Sequence, residues 1–92
     1  MLTTKKRMEK KQMKNDDKKF MRKAIAISKK SIENGGGPFG AVIVKDGKIV
    51  ASSNNKVTIN NDPTAHAEVM AIRKACKKLN TFDLSGCTLY AS

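Results

Sequence analysis

Ninety-two residues make one small domain, of a size that buries at most about two-thirds of its unfolded surface. No apolar run approaches the roughly 20 residues of a membrane span, and the charged N-terminus lacks the apolar core of a secretory signal. The two cysteines have no framework spacing, so a reduced, cytoplasmic setting is expected.

The net charge of +11 is lopsided, since residues 1–30 hold twelve basic and three acidic side chains and residues 31–92 contribute only +2. Residues 1–15 are rich in Lys and Met with almost nothing to bury, and are expected to form a basic, disordered arm. Such an arm can bind RNA weakly and non-specifically; a solvated extension is the plainer alternative.

The folded part is expected over residues 16–92. Asp16 and Asp17 favour a helix N-terminus. Phe20, Ala24 and Ile27 then share one side, with Met21, Ile25 and Ile32 adjoining and a lysine-rich face opposite. Gly35-Gly36-Gly37 ends this helix near Asn34, because glycine permits a left-handed exit. Phe39 to Val44 is compact and partly β-branched, which predicts a buried strand. Asp46-Gly47 predicts a two-residue hairpin turn, and Lys48 to Ala51 the returning strand. Residues 52–61 are polar and mostly loop. A second helix is expected from about Thr64 to Leu79, stopped at Asn80, followed by a strand over Cys87 to Ala91. The order helix, strand, strand, helix, strand predicts an α/β fold.

Chemistry concentrates in Asn61-Asp62-Pro63-Thr64-Ala65-His66-Ala67-Glu68, which holds the only histidine. Pro63 suits a first helical turn, so His66 and Glu68 are expected beside the positive end of the helix. Taken alone, a His-x-Glu reads as a capping histidine and a dipole-matched acid. The run Asp62 to Glu68, however, resembles the zinc-dependent base deaminases, whose signature is H-x-E followed by P-C-x-x-C. The stretch Gly36-Gly37-Pro38-Phe39-Gly40-Ala41-Val42-Ile43-Val44-Lys45-Asp46-Gly47 looks more specifically like bacterial guanine deaminases. Leu89-Tyr90-Ala91-Ser92 is similar to the strand that delivers the family's cysteine pair.

That resemblance implies the first half of a cytidine-deaminase-like α/β/α sandwich. It implies a zinc-dependent hydrolase that converts guanine to xanthine and ammonia, with a small purine base as its partner and a homodimer as one expected assembly. His66 would be a zinc ligand, with two thiolates completing the set. Glu68 would shuttle protons from water to the ring and to the departing ammonia. Asn55 matches a substrate-binding asparagine, Phe39 a base-stacking aromatic, and the backbone N–H of Ala67 a further substrate contact. For Asn55 a plain turn role stays open, and for Phe39 a core role. A catalytic zinc needs three protein ligands. Cys76 lies ten residues along the helix from His66, roughly 15 Å by helical rise, and Cys87 reads as a buried apolar residue. The 92-residue chain is therefore expected to behave as an inactive fragment, its last strand left with an unpaired edge. Two alternatives stand beside this reading. One is a tRNA-adenosine deaminase, favoured by the basic arm and opposed by Phe39. The other is a non-catalytic remnant or basic RNA-binding module on the same scaffold.

Overall fold

The structure is a computed structural model and describes residues 2–6, 15–62 and 66–92. Its elements are β1 (Thr3–Lys6), α1 (Asn15–Glu33), β2 (Gly40–Lys45), β3 (Lys48–Asn54), α2 (Val57–Asn60), α3 (Ala67–Leu79) and β4 (Cys87–Ala91). The four strands form one sheet in the order β1-β4-β2-β3.

Strand β2 lies inside the sheet and is covered by a helix on each face, which explains its unbroken apolar sequence. Alternate side chains divide between the faces. Ala41 and Ile43 join Leu89 and Cys87 beneath Ala67, Ala71 and Ala75 of α3. Val42 and Val44 join Tyr90 beneath Phe20, Met21 and Ala24 of α1. This is the α/β/α sandwich expected from the sequence. Alanines (Ala67, Ala71 and Ala75) form the buried stripe of α3. Ile32, expected beside the stripe of α1, is instead 58% exposed.

The local signals act as their chemistry dictates. Asp16 and Asp17 occupy the first turn of α1. At its other end Gly35 adopts φ +82°. The Gly35 N–H reaches Ile32 O at 3.1 Å and the Gly36 N–H reaches Ser31 O at 2.7 Å, the paired bonds of a glycine-terminated helix. Asp46 and Gly47 both have positive φ, as a type I′ hairpin turn requires. The hairpin register slips between Ile43 and Val44, where Val50 bulges. Asn80 closes α3 in the left-handed conformation.

Three expectations change. Thr3–Lys6 is a strand paired parallel to β4, in register from Thr3 opposite Thr88 to Lys6 opposite Ala91, where a disordered arm is expected; residues 7–14 lie outside the described residues. Strand β4 offers this segment a row of backbone donors and acceptors, and Lys5 Nζ pairs with Asp17 Oδ2 at 2.6 Å. Second, β4 is consequently flanked on both sides, by β1 and by antiparallel β2. Third, the polar stretch after the hairpin is less of a loop than expected, since β3 continues to Asn54 and α2 adds a helical turn.

Candidate functional site

Helix α3 begins at Ala67, and His66 is its N-cap, with φ −68° and ψ 150°. The expected start at Thr64, with Pro63 and Ala65, lies outside the described residues. His66 thus stands one residue before the helix. Its extended backbone removes the 200° separation that helical positions two apart impose, so His66 and Glu68 are free of that constraint. His66 is exposed and Glu68 half-buried in the first turn, where a negative charge complements the helix dipole. Ala67 between them is fully buried. Its N–H is among the first-turn groups that a helix cannot satisfy itself.

Asn55 and Phe39 form a second group. Asn55 is 8% exposed and Phe39 48% exposed. The Asn55 N–H donates to Phe39 O at 3.2 Å, which sets the two residues side by side at the ends of β3 and β2. The side chain of Asn55 is also fixed: its Oδ1 accepts the Val57 N–H at 3.1 Å. Asn55 therefore does cap a turn, and in doing so is held in one orientation with its Nδ2 donors uncommitted to that bond. The ring of Phe39 is not a core residue.

Sequence reasoning overlooks two neighbours. Buried Ser31 donates its hydroxyl to Gly37 O at 2.7 Å and accepts from Asn54 Nδ2 at 3.0 Å. A serine in the last turns of a helix just before a glycine triplet is the available signal, but its outward reach is a tertiary fact.

The described residues do not make a complete metal centre: they contain no group of three His, Cys, Asp or Glu placed to hold one ion. His66 is a sterically open imidazole donor. Cys87 is 1% exposed inside the core, and half-buried Cys76 packs against the same cluster. Both thiols are spent on packing. One imidazole is too few for a three-ligand zinc, and no chemical step can be drawn through zinc from these residues alone.

Tyr90 is a further buried polar group. Its hydroxyl donates to Asp17 Oδ1, and its ring meets Phe20 at a centroid distance of 5.5 Å. Burial first, then the Asp17 carboxylate, push the phenol well above its usual range. This network ties α1, β1 and β4 together on the α1 face. No helix among the described residues is long and apolar enough to cross a membrane.

Comparison with known proteins covers nearly the same stretch of chain. The family described as the cytidine and deoxycytidylate deaminase zinc-binding region matches residues 14–92. Guanine deaminase of Bacillus subtilis (strain 168) is 57% identical over 74 residues, 79% of this chain and 47% of that protein. A solved structure of guanine deaminase from Bacillus subtilis superposes with a TM-score of 0.81 at 53% identity, covering 87% of this chain and 50% of the other. The tRNA-specific adenosine deaminase of Aquifex aeolicus (strain VF5) is 47% identical over 73 residues, 79% of this chain and 48% of that protein. A protein solved in complex with 2,6-diaminopurine superposes with a TM-score of 0.79 at 31% identity, covering 83% of this chain and 44% of the other. The chain spans about half the length of these curated relatives. With the family matched from the N-terminal part of α1 through β4, and the same fold in both solved relatives, the chain belongs to the cytidine and deoxycytidylate deaminase zinc-binding family.

Proposed function

We propose that this chain supplies the purine-binding and proton-transfer residues of a hydrolytic deaminase acting on guanine. Guanine and water give xanthine and ammonia. Water oxygen bonds to the ring carbon that carries the amine, and the carbon–nitrogen bond of that amine breaks. Glu68 accepts the water proton and delivers protons to the ring nitrogen and then to the leaving amine, ending each transfer ready for the next. The observation that carries the reading is the pair Phe39 and Asn55: an aromatic ring 48% exposed next to an amide whose orientation is fixed by the Val57 N–H. A ring offers a free base a stacking face, and an amide can both donate to and accept from a purine edge. The Ala67 N–H at the head of α3 is the third contact, and His66 is this chain's contribution to the zinc of its family. A free purine base is the partner.

A second reading, adenosine within tRNA, draws on the twelve basic side chains of residues 1–30 and on the Aquifex aeolicus relative. Ammonia release measured side by side on guanine and on tRNA, with a protein that joins this chain to the family's cysteine pair, decides between them. Release from guanine alone is the expected outcome. Release from tRNA with none from guanine removes the guanine reading.

A further inference from the structure

We propose that the Ser31 hydroxyl is a positioning group for Phe39 and Asn55, setting from the last turns of α1 the spacing between the ring and the amide. The inference rests on the purine reading of those two residues and adds a third residue that controls them.

The argument is a closed ring of hydrogen bonds. Ser31 Oγ donates to Gly37 O at 2.7 Å. The same carbonyl accepts the Phe39 N–H at 2.9 Å, and Phe39 O accepts the Asn55 N–H at 3.2 Å. Asn54, bonded in sequence to Asn55, closes the ring by donating its Nδ2 to Ser31 Oγ at 3.0 Å. Each polar group in the ring satisfies the next, so loosening one frees its neighbours. The wall inside the ring has no slack. A Cβ on Gly36 would fall 2.5 Å from Ser31 Oγ and 2.8 Å from Asn55 O, and one on Gly37 would fall 3.0 Å from the Asn55 side-chain carbon.

Ser28, one turn earlier, supplies the contrast. Its hydroxyl donates to Ile25 O at 2.6 Å within its own helix, the local bond that helical serines commonly make. Ser31 forgoes that bond and reaches the loop that carries Phe39. Being 2% exposed, it cannot exchange the loop for water.

The test uses the 92-residue chain, with amide resonances followed by NMR and 2,6-diaminopurine as the probe. Ser31→Ala and, separately, Asn54→Ala are expected to move the Phe39 and Asn55 amides together and to speed Asn55 hydrogen exchange several-fold. The probe's affinity should fall several-fold in both variants. Ser28→Ala, also at a buried position and also a lost hydroxyl, should leave those amides and that affinity unchanged. If Ser31→Ala perturbs only α1 while Phe39 and Asn55 keep their positions and exchange rates, the positioning role is overturned. If the variants loosen the ring as expected but the probe shifts no amide even in the parent chain, the purine reading falls instead. The two failures are thereby distinct.

Discussion

Replacing Gly40 with alanine tests how tightly α1 lies against the sheet. Gly40 opens β2 directly after Phe39. A Cβ there would lie 2.9 Å from Ser28 N and 3.0 Å from Ile27 Cβ, and nearer still to Ala24 O. All three are backbone or Cβ atoms, so no truncation short of glycine relieves them and the helix itself must move. Movement is opposed on that face by Phe20, Met21 and Ala24, all buried against Val42, Val44 and Tyr90. Overpacking of a tight site costs about 1–3 kcal/mol, and a contact with rigid backbone belongs at the upper end. Domains of this size hold about 5–14 kcal/mol in total. At roughly 4–8 °C per kcal/mol, Gly40→Ala should lower Tm by about 12–24 °C in a thermal melt followed by circular dichroism. Gly47→Ala is the control. Gly47 has φ +75° with nothing within 4 Å, so its variant meets only backbone strain of about 1–2 kcal/mol. A Gly40→Ala melt no lower than that of Gly47→Ala would refute the close-approach argument.

Two further outcomes follow from the site and its supports. Tyr90 has a raised folded pKa, through burial and then Asp17, against an ordinary value of 10.0. Its contribution is therefore complete below about pH 10 and lost as pH rises further, because the unfolded phenol ionises first. Urea midpoints measured from pH 8 to 11 should fall more steeply for the parent chain than for Tyr90→Phe; parallel curves would sink this reading. For zinc, the dialysed 92-residue chain should retain far less than one ion per chain, since His66 is its only imidazole and three ligands are needed. Metal analysis that finds one tightly held zinc per chain, lost in His66→Ala, would overturn the ligand count.

Most of the sandwich is legible in the sequence because its signals are local. Asp16-Asp17, the glycine triplet, Asp46-Gly47 and Asn80 each set backbone geometry within a few residues, and the apolar runs between them name the buried faces. Thr3–Lys6 is illegible for the opposite reason. A Thr-Thr-Lys-Lys run has no apolar period, and only the edge of β4, far along the chain, makes it a strand. The slip between Ile43 and Val44 is likewise a property of two strands rather than of either. At the site, the His66-x-Glu68 spacing is visible, but the N-cap geometry that frees the two side chains from helical opposition is not. Asn55 is visible as a candidate, yet its rigidity comes from Val57, Phe39 and the Asn54–Ser31 bond. Those are contacts across the fold, which residue types alone do not announce.

The parallel pairing of β1 with β4 sets an order of events during synthesis. Thr3 finds its partner only when Thr88 has been made, and joining points so far apart costs about 4 kcal/mol of chain entropy by the logarithmic rule. The β2–β3 hairpin needs only its two-residue turn and can form early. Until β4 arrives, however, the other edge of Gly40–Lys45, the most apolar strand of the sheet, stands open. About forty residues separate β2 from β4, which at ordinary elongation rates means about 2–8 s. For those seconds the nascent chain carries an unpaired, hydrophobic strand edge, an open template for pairing with another chain.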